Sequence, residues 1–111
     1  MSEHYHDPAD LGLLSDMSKL APVEFKAWLE LDKVVGRREG AIPAKYRELM
    51  ALSVALTTQC PYCIEVHVKA ARIAGASREE IAEVAFIAAA LRAGAAATHG
   101  AMALKLYDSA A

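Results

Sequence analysis

Proline placement constrains the fold of this chain more than any other feature. A proline fits the first turn of a helix, where its missing N–H costs no hydrogen bond, but it breaks a helix interior. The four prolines are Pro8, Pro22, Pro43 and Pro61. Each predicts a helix start, and Ser77 with Glu80 predicts a fifth, because this pair has the spacing of a capping box.

The rest of the pattern is helical as well. No stretch shows the strand-like alternation of Val, Ile and Thr, and the missing βαβ pattern argues against a thioredoxin fold. We predict an all-α fold of about five to six helices, as a single domain over residues 1–111 with residues 1–7 as a flexible tail. Glycines predict helix ends near Gly36 and Gly75, and His99-Gly100 predicts a kink or break before a last segment.

The composition limits the classes of partner and the compartment. Hydrophobic residues make up 55% of the chain, but many are alanines that bury little area, which favours a subunit that completes its core by oligomerising. A net charge of −2 and a pI near 6.1 give no electrostatic case for binding nucleic acid or an anionic membrane. The N-terminus lacks a signal-peptide pattern and no uninterrupted apolar run reaches the ~20 residues of a membrane span, so we predict a cytoplasmic protein. In that reducing compartment a cysteine pair is more readily redox-active or metal-binding than a structural disulfide.

Both cysteines of the chain lie in one short motif, Cys60-Pro61-Tyr62-Cys63-Ile64-Glu65-Val66-His67. Pro61 at the first helical position makes Cys60 the predicted N-cap, and residues three and four apart share a helical face. The sulfurs of Cys60 and Cys63 and the imidazole of His67 should therefore line one stripe. A helix N-terminus stabilises a thiolate and an imidazole can take its proton, so this arrangement predicts a redox-active dithiol.

Glu48 is the candidate acid or base partner of this motif. If the segment from Thr57 to Pro61 reverses the chain, the third and fourth helices pack as a helical hairpin, and Glu48 lies alongside His67. A carboxylate in contact with His67 would orient the ring and make it a better proton acceptor. On the residues alone, a solvated surface carboxylate is the more common outcome.

Other interpretations of the motif stay open at this point. A structural zinc site needs four ligands, and the fourth would have to come from Glu48 or His99, because no second ligand pair exists. Both cysteines could instead be inert core residues, and His99 is more simply a packed, hydrogen-bonded histidine than a site residue. Haem attachment of the c type is excluded, because Ile64 stands where that motif needs histidine.

The separations of these residues resemble those of a known family. Glu48, the cysteine pair and His67, followed by the segments 75–81 and 91–100, closely resemble the alkylhydroperoxidase D-like (AhpD-like) / carboxymuconolactone decarboxylase family, and above all its alkylhydroperoxidase branch. The resemblance covers about residues 42–100. It implies an all-helical AhpD-like fold with a helical hairpin carrying the cysteine motif, assembled as trimers or hexamers.

The resemblance also implies an activity, namely reduction of a hydroperoxide through the dithiol, without metal or bound cofactor. Carried over, Cys63 would be the peroxidatic cysteine, Cys60 the resolving cysteine, and His67 with Glu48 the proton relay. An external dithiol of lipoyl or thioredoxin type would restore the thiols. The best-studied members place a histidine where this chain has Tyr62, which leaves the relay one imidazole short.

Two other functions remain as alternatives. The same family includes decarboxylases that act on a lactone carboxylate, a branch that does not rest on a cysteine pair. From a different class, the chain could be a non-catalytic helical assembly module whose thiols bind zinc or sense oxidants.

Overall fold

A computed structural model describes residues 5–110 of the chain as a series of helices. A short 3-10 helix leads into five α-helices, which are α1 (Leu14–Leu20), α2 (Pro22–Val35), α3 (Ala44–Thr58), α4 (Pro61–Ile73) and α5 (Arg78–Ser109); the 3-10 helix spans Pro8–Leu13. Residues 5–110 contain no β-strand. The predicted all-α class is therefore confirmed.

Local chemistry sets the helix starts much as the sequence predicts. Pro22 and Pro61 occupy the first turns of α2 and α4, whereas Pro43 stands one place earlier, as the N-cap of α3. Ser77 caps α5 in a full capping box, with its side chain accepting the Glu80 N–H at 3.1 Å. Each of these signals acts within one helical turn, so it sets the start of its helix largely independently of tertiary packing.

Asp7, the last residue of the predicted flexible tail, takes part in a helix cap. Of the predicted flexible residues 1–7, residues 1–4 lie outside the described part of the chain. Asp7 caps the 3-10 helix in a capping box that it forms with Asp10. Helical structure then continues to Leu20.

The α3–α4 hairpin forms the centre of the molecule. Gln59 adopts a left-handed backbone conformation with φ of 58°, and the Cys60 N–H donates to the Ala55 carbonyl at 3.0 Å, which ends α3 and turns the chain back. Helix α3 packs along both α4 and α5. The buried apolar residues lie mainly on it: they are Leu49, Leu52 and Ala55 of α3, with Ala71 of α4 and Ala88 of α5.

Helix α5 runs without the break that His99-Gly100 predicts. Its neighbours there are mostly alanines, the strongest helix formers, which offset the cost of about 1 kcal/mol per helical glycine. The polar side chains bond within the helix: Thr98 Oγ1 donates to the Gly94 carbonyl at 3.0 Å, and His99 Nδ1 lies 2.9 Å from the Ala95 carbonyl oxygen. The prediction of a kink or break was wrong because it considered the cost of glycine in a helix but not the stabilisation from the flanking alanines and the side-chain hydrogen bonds.

Much of α5 has no partner within the subunit. Every described residue from 89 to 110 is exposed, and an 18-residue window of the helix has a mean hydropathy of 1.5 with 6% of the window buried. By length and composition alone, this helix could cross a membrane. A search for uninterrupted apolar runs does not find it, because Arg92 interrupts the apolar sequence. Core helices of water-soluble proteins pass the same test, which makes the observation weak evidence for a membrane.

The dimensions of the chain agree with an incomplete core. The radius of gyration is 18.3 Å, against about 13 Å for a compact domain of this length. Leu91, Leu104 and Leu106 of α5 are all more than half exposed. Oligomerisation, which would cover such a surface, remains a prediction.

Candidate active site

The two cysteines meet at the first turn of α4. Cys60 is the N-cap, and its Sγ accepts the Cys63 N–H at 3.3 Å. Both are free thiols and both are half-buried. The predicted helix-start position is therefore what the structure shows, and the site is open enough for a reagent to reach it.

The two thiols have pKa values that are shifted in opposite directions. A hydrogen bond from Cys63, joined by its backbone N–H, lowers the pKa of the Cys60 thiol. Bonding to Cys60, followed by burial, the Cys60 charge and the charge of Asp32, raises the pKa of Cys63 to about 11. The two opposite shifts favour a first negative charge at Cys60 and a remaining proton on Cys63. The sequence left this order open, since the helix dipole favoured one cysteine and the imidazole the other.

Glu48 and His67 are hydrogen-bonded across the hairpin, a contact that becomes an ion pair when the imidazole is protonated. Glu48 Oε2 of α3 lies 2.6 Å from His67 Nδ1 of α4, and the two side chains are 17% and 28% exposed. Since the carboxylate accepts from Nδ1, the neutral ring keeps Nε2 as its free acceptor. The structure pairs Cys60 with Cys63 and Glu48 with His67, and His67 follows Cys63 by one turn of α4.

A cavity of about 300 Å³ opens beside the ion pair, between α2, α3 and α4. Its ionisable lining residues are Asp32, Arg47, Glu48 and His67, and its apolar lining includes Ala51 and Val66. Neither cysteine belongs to the lining that the described residues form. Sequence reasoning missed Asp32 and Arg47, because neither stands in a motif; Asp32 reaches the site through the packing of α2, and Arg47 directly precedes Glu48 on α3.

Arg47 closes one end of this cavity as a structural residue. Its Nε donates to the Ile42 carbonyl and its Nη1 to the Val35 carbonyl, both at 2.8 Å. These bonds tie the end of α2 to the start of α3 across the polar turn. They hold the Asp32 end of α2 near the ion pair.

Tyr62, between the cysteines, makes a contact that no sequence pattern indicates. Its hydroxyl donates to Asp10 Oδ2 at 2.6 Å, and the His6 ring packs against its ring edge-on with centroids 5.6 Å apart. His6 belongs to the predicted flexible tail, but in the structure its exposed side chain lies beside Tyr62. The residues that meet are far apart in sequence and belong to no shared motif.

His99 lies away from these groups. It is exposed on α5 and bonds only to the carbonyl of its own helix. The prediction of a hydrogen-bonded histidine is confirmed, but that of a packed one is wrong for the single subunit. Among residues 5–110 no group of three or more His, Cys, Asp or Glu side chains could hold a metal ion. The zinc interpretation therefore gains nothing from the described geometry.

Comparison with known proteins supplies the family. A sequence model of the carboxymuconolactone decarboxylase family matches residues 22–106, most of the chain. The chain belongs to this family. The match begins at α2 and ends within α5, so it includes the hairpin, the dithiol and the ion pair.

Members of the family and other relatives resemble the chain over much of its length. An uncharacterized protein in the cox locus of Paracoccus denitrificans is 43% identical over 101 residues, which cover 91% of this chain and 90% of that protein. An uncharacterized protein of Cupriavidus necator is 32% identical over 72 residues, covering 65% of this chain and 64% of that protein. The apo crystal structure of a carboxymuconolactone decarboxylase family protein from Legionella pneumophila matches with a TM-score of 0.67 and 28% identity, covering 88% of this chain and 87% of that one.

Proposed function

We propose that the protein is a thiol-dependent peroxidase, or more broadly a disulfide oxidoreductase, of the AhpD-like type. The observation that supports this most is the Glu48–His67 ion pair at 2.6 Å, one helical turn beyond a half-buried pair of free thiols. A base supported by a carboxylate beside a nucleophile is the arrangement that activates a thiol. Neither an inert core pair nor a purely structural helix start requires such a base.

The proposed cycle starts at Cys63. His67 Nε2 takes the Cys63 proton, directly or through water, while Glu48 stabilises the imidazolium. The Cys63 thiolate attacks one peroxide oxygen, the O–O bond breaks, and the departing alkoxide takes the proton back from His67. Cys63 is thereby oxidised to the sulfenic acid and the hydroperoxide is reduced to an alcohol.

Cys60 completes the cycle. Its thiolate attacks the Cys63 sulfur, the S–S bond forms as the S–O bond breaks, and the departing hydroxide takes a proton from solvent to leave as water. An external dithiol, which we propose to be of lipoyl or thioredoxin type, then attacks the disulfide and leaves with its own two sulfurs joined. The chain supplies two electrons per cycle from its own thiols, so the scheme includes no metal and no bound cofactor.

The opposite pKa shifts of the two thiols fit the proposed roles of Cys63 as the peroxidatic and Cys60 as the resolving cysteine. Cys63, whose pKa is raised to about 11, must lose a proton before it can attack, and His67 is one helical turn from it. In the reduced protein, the hydrogen bond from Cys63 lowers the pKa of the Cys60 thiol, which favours the thiolate form that a resolving cysteine needs. The difference between the two thiols therefore supports separate roles for them.

Mass spectrometry of the intact protein tests the proposal. One equivalent of an organic hydroperoxide should remove two hydrogens from the reduced protein, and Cys60→Ser and Cys63→Ser should each block this loss. With a sulfenic-acid trapping reagent, Cys60→Ser should be labelled at Cys63, whereas Cys63→Ser should stay unlabelled. Full hydroperoxide turnover by Cys63→Ser would disprove the proposal.

We also propose a homo-oligomer, trimeric or hexameric, located in the cytoplasm, with no nucleic acid or membrane partner. The exposed apolar surface of α5 and the large radius of gyration support assembly. Covering that surface with other copies would also explain how a helix this apolar exists in a water-soluble protein.

Decarboxylation of a lactone carboxylate is the second candidate, because the family that matches the chain carries that name. The ion pair and its cavity could serve acid–base chemistry without the thiols. The double variant Cys60→Ser/Cys63→Ser separates the two candidates. Decarboxylase activity retained in it would favour the second, whereas absence of that activity in the wild-type protein would exclude it.

A further inference from the structure

The 3-10 helix, Pro8–Leu13, is hydrogen-bonded to the cysteine motif through Tyr62, which lies between the two cysteines. The Tyr62 hydroxyl donates to Asp10 Oδ2 at 2.6 Å, over 52 positions of sequence. The same Asp10 oxygen accepts the Asp7 N–H at 3.0 Å, which closes the cap of the 3-10 helix. One carboxylate therefore holds the 3-10 helix together and binds it to α4.

Further contacts place the segment at the thiol end of α4. The 3-10 helix packs against α4, and the His6 ring meets the Tyr62 ring at 72°. Tyr62 lies two residues after Cys60 and directly before Cys63. The segment therefore lies next to the part of α4 that a reagent must approach.

The pKa shifts of Asp10 and Tyr62 indicate that this hydrogen bond is a structural contact rather than a proton relay. The bond to Tyr62 lowers the pKa of Asp10, and the bond to Asp10 raises the pKa of Tyr62. Asp10 therefore stays ionised and Tyr62 stays protonated throughout the neutral range. The phenol proton is directed at Asp10 rather than at either thiol.

We propose that Tyr62 and Asp10 are positioning residues that hold the 3-10 helix beside Cys60 and so limit the size of the thiol partner that reaches its sulfur. The catalytic consequence rests on the proposed function, in which the external dithiol attacks the disulfide at Cys60. In that step a partner thiolate forms a bond to the Cys60 sulfur and Cys63 leaves as a thiolate. An attacking sulfur must approach along the S–S axis, so a wall beside Cys60 discriminates against bulky partners.

Labelling of Cys60 tests this proposal without any peroxide. In a Cys63→Ser background only Cys60 reacts, and its rate is compared for iodoacetamide and for a maleimide that carries a polyethylene glycol chain. Tyr62→Phe removes the hydroxyl and keeps the ring, and Asp10→Ala removes the carboxylate. Because loss of one hydrogen bond populates the detached segment more often, the maleimide-to-iodoacetamide rate ratio should rise about fivefold in each variant. The double variant should match either single one.

Matched controls make the same chemical changes elsewhere. Tyr46→Phe on α3 and Asp16→Ala on α1 should leave the ratio unchanged, and circular dichroism checks that all variants keep their helices. An unchanged ratio in Tyr62→Phe and Asp10→Ala would overturn the proposal, as would equal acceleration of both reagents, which indicates altered thiol reactivity rather than access. If the peroxidase is established, the same variants should lower the KM for a protein dithiol and leave the rate of peroxide-driven disulfide formation unchanged. A protein without peroxidase activity would still give a clear labelling result.

Discussion

At the scale of single residues, the site depends on one imidazole and the carboxylate that orients it. The Glu48–His67 contact was predicted through the family resemblance, since on the residues alone a solvated Glu48 was the more common outcome. The Tyr62–Asp10 contact was not, since neither residue belongs to a periodic pattern that relates them. Local spacing reports on neighbours within a helix or hairpin. Contacts between distant segments depend on the packing of the whole chain.

His67→Asn tests the relay directly. The amide can still donate to Glu48 but cannot take a proton, so we expect the rate of hydroperoxide reduction to fall about 10²-fold or more. Stopped-flow loss of free thiols after adding hydroperoxide measures this rate. Glu65→Gln, on the same helix but paired with Lys69 at the surface, is the control and should react like wild type. A wild-type rate in His67→Asn would remove His67 from the mechanism.

Asp32→Asn tests the charge that acts on Cys63 from α2. Asp32 adds to the effects that raise the pKa of Cys63, after bonding to Cys60, burial and the Cys60 charge. Removing that negative charge should lower the pKa of Cys63, so its thiolate should form at lower pH. The pH profile of iodoacetamide alkylation, measured in a Cys60→Ser background, should shift towards acid.

Glu30→Gln supplies the comparison for that profile, because it removes a charge from the same helix at a position outside the cavity. It should leave the midpoint where it was. A shift towards alkaline pH in Asp32→Asn, or none, would contradict the assigned electrostatics.

At the scale of elements, the helix starts were the most predictable feature and the continuity of α5 the least. Prolines and the Ser77 capping box act within one turn, so each signal determines its own boundary. Whether Gly94 and Gly100 break a helix is decided by a balance of several small terms, including flanking alanines and the side-chain bonds of Thr98 and His99. A single unfavourable residue type is a poor guide when its cost is about 1 kcal/mol.

The α3–α4 hairpin carries a strained residue that can be relieved. Gln59 has a φ of 58° and an exposed side chain, a conformation that glycine adopts without a steric penalty. After allowing for the greater freedom of glycine when unfolded, Gln59→Gly should raise the free energy of unfolding by about 0.5 kcal/mol. Urea denaturation measures it. Gln59→Ala, which keeps the Cβ, should show no such gain, and a destabilised Gln59→Gly would refute the argument.

At the scale of the whole molecule, the single subunit leaves a long apolar surface on α5 uncovered. Leu104 is 67% exposed there, near the end of the helix. If other copies cover this surface, Leu104→Glu should bury a charge at an interface and shift the assembly towards monomers. Sedimentation velocity at several concentrations measures the species present. Ser109→Glu adds the same charge at the end of the same helix and should leave the assembly intact, whereas a monomeric wild-type protein would contradict the prediction.

Cys60 and Cys63 enclose only two residues, and this short spacing has a consequence for the durability of the protein. Stabilisation by a cross-link grows with the length of chain it encloses, so a bond here contributes at most about 2 kcal/mol. Oxidised and reduced protein should therefore melt within about 10 °C of each other in calorimetry. In the proposed cycle the fold would therefore keep most of its stability whether the two cysteines are thiols or a disulfide.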